Sequence, residues 1–173
     1  MTPLLRHVPP AIARIAAFLL AAVVGAACGG TTGSTLRVNA PPAARLGAYK
    51  SVQIVCTAED EKERGKEFTG RLETQLMVKL KEREMFQEYR LSMDPGESEV
   101  TLKVVILDMK KAGGWGWYGR TSSKVSCDAT LIDTKTGSSV ASISVIAKPK
   151  HSSVETALED AATQIADYLR ENK

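Results

Sequence analysis

Histidine is almost missing from these 173 residues: His7 sits in a basic leader and His151 stands alone before the last predicted helix. Once the leader is gone, a His-based catalytic triad and a multi-His metal centre are excluded. Aromatic residues make up only 5 %, and both tryptophans fall in one short segment. Charge of one sign is also missing, with 23 Lys and Arg against 20 Asp and Glu. The leader holds Arg6 and Arg14 and no acid, so without it the balance is 21 to 20 and the net charge falls from +3 to +1. No dense basic stripe remains to neutralise phosphates, which removes the usual footprint of nucleic-acid binding. Long apolar runs are absent as well. Ile15 to Ala27 is uncharged but shorter than the ~20 residues a spanning helix needs. What is present, 43 % hydrophobic and 25 % charged residues, excludes wholesale disorder and suits one domain.

The first 27 residues read as a secretory signal: a positive start, an apolar middle and small residues at the end. Gly25, Ala26 and Ala27 are followed at once by Cys28, which resembles the lipobox of bacterial lipoproteins. There the cysteine thiol is acylated, by chains such as palmitate, and becomes the new N-terminus. The position three before the cysteine is Gly25 where the lipobox usually has Leu, Val or Ile, with Val24 one place earlier. An ordinary signal cut after Ala27, with Cys28 incidental, is the alternative. Acyl chains contribute ~0.8 kcal/mol per buried methylene, so several on one residue would anchor the chain stably. Gly29 after the cysteine implies compatibility with outer-membrane sorting.

Residues 28–48, rich in Gly, Thr, Ser, Pro and Ala, read as a lipidated cysteine and flexible linker, with Leu36 and Val38 leaving room for a short edge strand. A single domain is expected over 49–173. Val52, Ile54 and Cys56 alternate as a buried strand face. Phe68, Leu72, Leu76 and Leu80 recur every four residues as a helix stripe that ends near Met85-Phe86, where a short strand to Leu91 begins. Asp94-Pro95-Gly96 is a turn. Val100 to Met109 and Ser122 to Asp133 alternate as strands, and Asp133 to Gly137 closes a hairpin onto Ser139 to Ala147. Ser152, three residues before Glu155, predicts a capping box for a helix whose inner stripe is Val154, Leu158, Ala161, Ile165 and Leu169. This order predicts a two-layer α/β sandwich, a four- or five-stranded mixed sheet with both helices on one face.

A strand, a long helix ending in Met85-Phe86, a Gly/Trp loop, and Asp133-Thr134-Lys135-Thr136-Gly137 before a Ser-capped helix together resemble a family of bacterial lipoproteins. That family is known mainly as a domain of unknown function, in which a Gly- and Trp-containing loop precedes strands joined by an Asp-x-x-Thr-Gly turn. The resemblance covers about Tyr49 to Leu169. In topology the layout is similar to the periplasmic domains of the curli-secretion lipoprotein and the Tol-system translocation protein. The resemblance implies an envelope protein working through contacts, with no catalytic residues to carry over.

Gly114-Trp115-Gly116-Trp117-Tyr118-Gly119 spells G-x-G-x-x-G, but a strand follows it where a dinucleotide site needs a helix, and two indoles would crowd the phosphates. Trp115, Trp117 and Tyr118, flanked by Lys110, Lys111 and Arg120, read either as rings packed over the sheet edge or as an interaction loop for a partner or a lipid surface. Cys56 and Cys127 fall on inward strand faces, which leaves open a disulfide in an oxidising periplasm or two free core thiols. The acids Glu59-Asp60-Glu61 beside Lys62 and Arg64 read as helix-start electrostatics, and the Ser–Lys pairs match no catalytic spacing.

The expected function is a non-enzymatic, lipid-anchored envelope protein that binds another protein or envelope component. It would use no cofactor or metal. The alternatives are a structural subunit of an envelope assembly, or an enzyme with an unrecognised site.

Overall fold

Alternation of apolar and polar residues, period two, builds most of this domain. In the computed structural model the described residues are 33–43, 45–59, 63–94, 96–111, 122–150 and 152–173, with the side chains of 63–66 left aside. The strands are β1 (Thr35–Ala40), β2 (Ser51–Ala58), β3 (Glu88–Leu91), β4 (Val100–Lys110), β5 (Lys124–Asp133) and β6 (Ser139–Ala147). The helices are α1 (Glu63–Glu82) and α2 (Val154–Glu171). All six strands form one mixed sheet in the order β1-β6-β5-β4-β2-β3. β2 runs parallel to both β3 and β4, and the other pairs are antiparallel.

One sheet face is apolar. Cys56, Val104, Ala129 and Ile143 line up across four strands and are all buried, as are Ile54, Leu102 and Leu131 one row away. Phe68, Leu72, Leu76 and Leu80 of α1 and Leu158, Ile165 and Leu169 of α2 close over this face. Burial of a Leu or Ile side chain is worth roughly 1.5–3 kcal/mol, so this layer dominates stability. Three ion pairs tie the helices along their length: Arg71 to Glu155 at 3.2 Å, Lys79 to Glu159 at 3.1 Å and Arg83 to Asp167 at 2.7 Å. Their order along both helices means that the two run parallel.

The helix ends follow local chemistry. α1 stops where Glu84 takes a left-handed φ of 51° and the Met85 amide donates back to the Leu80 carbonyl at 3.2 Å, a six-residue closing turn. α2 starts at Ser153, whose hydroxyl accepts from the Thr156 amide at 3.2 Å. The expected cap, Ser152, is buried and donates instead to the Pro149 carbonyl at 2.8 Å.

The two-layer α/β expectation holds, with six strands where four or five were expected. The added strand is β1, inside the stretch read as a flexible linker, where Leu36 and Val38 left room for a short edge strand. Thr35 to Val38 pair in register with Ile146 to Ile143, and Leu46, in a 3-10 turn at Leu46–Ala48, is fully buried. The ordered domain therefore begins upstream of Tyr49, because β6 offers an edge that a short polar strand can join.

Candidate functional site

The D-T-K-T-G hairpin forms a structural tie. Asp133 Oδ1 accepts from the amides of Lys135 at 3.0 Å and Thr136 at 2.9 Å, while the Tyr49 hydroxyl donates to Oδ2 at 3.1 Å. The Thr136 amide and the other donors hold the Asp133 carboxyl below its ordinary pKa, and burial with the facing carboxylate lifts the Tyr49 phenol above its own. Gly137, at φ 68°, closes the turn.

Cys56 and Cys127 do not form the disulfide left open by the sequence. Both are buried and free, on β2 and β5, with β4 between them. Adjacent strands lie about 4.8 Å apart, so these backbones are about 10 Å apart, beyond the ~7 Å a disulfide tolerates. Burial pushes both thiols up, Cys127 to about 12.

Cys28 and the loop residues Trp115, Trp117, Tyr118 and Arg120 lie outside the described residues. The two ends of that loop are described. Lys110, the last residue of β4, faces Lys124, the first of β5, and the Asp108 carboxylate lies 3.9 Å and 3.5 Å from their ammonium groups. Lys111 follows, its ammonium 6.0 Å from the centre of the Phe68 ring.

The second sheet face is covered by no described element. A row across it runs Thr57, Val105, Asp128, Ser144 and Arg37. Asp128 accepts from Ser144 at 2.6 Å, and Asn39 donates to Ser144 at 2.8 Å. The next row holds Val55, Lys103, Thr130 and Ser142. Short hydroxyls and β-branched groups on a hydrogen-bonded sheet make a broad, rigid surface, half-buried by neighbours and wet on top. Leu107, the extra residue at a bulge between Ile106 and Asp108, is 40 % exposed beside it.

On the helix side, a groove of about 480 Å³ between α1 and α2 is lined by Glu67, Gly70, Arg71, Thr74, Glu155 and Leu158. Arg71 spans it with contacts to both Glu67 and Glu155, so its charge is already met. The Glu155 carboxyl sits below its usual range, chiefly through its own backbone amide and Ser153 at the helix start. Among the described residues no group of three or more His, Cys, Asp or Glu is placed to hold a metal ion.

Sequence reading missed Glu73. It is buried on α1, where the stripe pattern puts a solvated position, and it accepts from the Cys56 amide and the Ser92 hydroxyl. Only the three-dimensional partner explains it. It also missed Ser34, which donates to Asp160 at 2.7 Å and accepts from the Lys148 amide at 2.9 Å, fastening the chain where it enters the fold.

The arrangement defines a two-layer α/β domain with a mixed six-stranded sheet, one face of which is covered by no described element. No protein-family model and no curated protein matches the chain. Among solved structures, the fold is similar to that of the PelC dodecamer from Paraburkholderia phytofirmans, at 15 % identity and a TM-score of 0.57, over 79 % of this chain and 97 % of that one. It is also similar to a DUF330 protein from Xanthomonas campestris, at 14 % identity and a TM-score of 0.50, over 79 % and 89 % of the two chains. At these identities the likeness is one of fold.

Proposed function

We propose that this chain is an exported bacterial lipoprotein, cut before Cys28 and anchored by lipid on that cysteine. Its domain works without catalysis, by binding another envelope protein or component. The signal-like leader and the small residues before Cys28 support the anchor. The observation that carries the binding role is the sheet face around Val105, Asp128 and Ser144, set opposite the helices and covered by no described element. Trp115, Trp117, Tyr118 and Arg120, between Lys111 and Ser122 in the sequence, are the second contact element of this reading, on their residue types alone. Gly29 favours the outer membrane over the inner. The resemblance of the predicted layout to the curli-secretion and Tol-system domains supports an envelope protein that works through contacts.

Photo-crosslinking in intact cells tests it. A photoreactive residue at position 105, on the open face, is expected to capture a discrete partner, whereas one at position 159, exposed on α2, is not. Identical adducts from both positions, or none from 105 in a correctly localised protein, would overturn the binding role. A Trp115/Trp117/Tyr118→Ala variant of equal abundance then reports whether the loop contributes.

A second reading is a structural subunit of an envelope assembly. It is favoured by β1, an edge strand whose Val38 is 43 % exposed, and by a fold shared with a protein described as a dodecamer. Under that reading the adduct from position 105 or 38 is a second copy of this chain.

A further inference from the structure

We infer that one end of the sheet, the end bearing Lys110, Lys124, Lys148 and Lys150, rests on the phosphate headgroups of an anionic bilayer and sets the orientation of the anchored domain. The inference rests on the lipid-anchor reading and adds the surface that faces the membrane. Strand directions bring these residues together. Thr35 pairs with Ile146 near the end of β6, Ala147 with Val125 at the start of β5, and Lys124 with Lys110 at the end of β4. The chain from Cys28 therefore enters the fold at this same end, where Ser34 is bonded to Asp160 and to the Lys148 amide.

Three features favour a membrane as the occupant. The six steps of chain from Cys28 to Ser34 reach at most about 22 Å even fully extended, so the lipid holds this end near the surface. Lys110 and Lys124 face each other directly across two strands, an arrangement that repels, with Asp108 the nearby carboxylate that offsets them in part. Lys148 and Lys150 are exposed at the neighbouring end of β6, and the Lys110 side chain is 71 % exposed. Glu155 pairs with Arg71, whereas Asp160, held by the neutral Ser34 and Gln164, and Glu59, exposed just past β2, keep their charge, so with Lys111 this end sets five ammonium groups against Asp108, Asp160 and Glu59. A surplus of solvated ammonium groups held within a tether's length of a bilayer is attracted to a negative surface, and the attraction falls within a Debye length.

The test uses the mature, full-length protein reconstituted in vesicles of phosphatidylcholine alone or with phosphatidylglycerol. Flotation and intact mass read the anchor. A water-soluble amine-labelling reagent with peptide mapping reads the docking. On anionic vesicles, labelling of Lys110, Lys124, Lys148 and Lys150 is expected to slow by about fivefold relative to neutral vesicles, a figure set by roughly 1 kcal/mol per lysine near such a surface. Lys135 and Lys173, at the opposite end, should label equally on both. A Lys110→Gln/Lys148→Gln/Lys150→Gln variant should still float but lose the protection of Lys124. Flotation with equal labelling at both ends, or protection that neutral vesicles give equally, overturns the docking and leaves the anchor standing. Failure to float, with an unmodified Cys28, overturns the anchor reading and this inference with it.

Discussion

Glu73 of α1 accepts a hydrogen bond from the Cys56 amide of β2 at 2.9 Å, and its second oxygen accepts from the Ser92 hydroxyl at 3.0 Å. β3 pairs with β2 only as far as Leu91 opposite Ile54, so the next outward amide of β2 has no strand beside it. A carboxylate reaching down from the helix takes the place of the missing strand. A buried amide left unpaired costs about 1–3 kcal/mol, and more when the lost acceptor is charged. Glu73→Ala is therefore expected to lower unfolding free energy by about 2–3 kcal/mol, and Glu73→Gln, which keeps an acceptor, by about half as much. Urea denaturation with unchanged slope checks this. Equal losses for the two variants would mean that packing, not the amide, is what Glu73 serves.

Leu46 decides whether the stretch before Tyr49 is tether or fold. It is fully buried in the 3-10 turn between β1 and β2. Truncating a buried leucine costs about 2–5 kcal/mol, and truncating one in a flexible tether costs nothing. Leu46→Ala should lower the urea midpoint accordingly, and amides across 35–40 should show slowed hydrogen exchange through pairing with β6.

The buried thiols give the domain an alkaline weakness. Cys127 has its pKa raised to about 12, chiefly by burial, then by Asp128, and Cys56 is raised by burial, Glu73 and Cys127. An unfolded thiol loses its proton near pH 9, while the folded one keeps it. Between about pH 9 and 12 the folded state therefore binds more protons, and stability falls as pH rises, by on the order of 1 kcal/mol per pH unit for Cys127. Cys127→Ala should flatten that fall, measured by denaturation at pH 7, 9 and 10.5. The same geometry predicts identical masses with and without reductant, and slow native alkylation of both thiols.

The parts of this fold written into local sequence were those with one buried face. β4, β5 and β6 alternate strongly because every second side chain packs under a helix, and α1 and α2 carry apolar residues at helical spacing. β1 carries only the faint signal of Leu36 and Val38, since none of its six residues is buried and its pairing is with the β6 edge. Two adjacent serines hid the cap of α2: the spacing to Glu155 selects Ser152, but the Pro149 carbonyl draws that hydroxyl away and Ser153 takes the role. Glu73 reads as surface because its partner amide lies 17 positions away on another element. The lysine end of the sheet is invisible for the same reason. Lys110, Lys124 and Lys148 become neighbours only when strand directions are known.

Asp133 yields the last prediction. Its carboxylate accepts two turn amides and the Tyr49 hydroxyl, linking the β5–β6 hairpin to a residue two places before β2. The nearby Thr134 amide donates to the Glu99 carbonyl, and the Glu99 carboxylate accepts from the Lys50 amide, so the hairpin and two strand starts share one network. Hydrogen bonds to the ionised form lower the Asp133 pKa, the Thr136 amide foremost. A depressed folded pKa means that its contribution is fully present above the ordinary carboxylate pKa and is lost as pH falls through the lower, folded value. Asp133→Asn is expected to reduce stability at pH 7, and the gap between wild type and variant should close as pH drops below about 4. Thermal melts at pH 7, 5 and 3 would show this. A gap that persists unchanged at pH 3 would mean that the charge of Asp133 is not what ties Tyr49 to the hairpin.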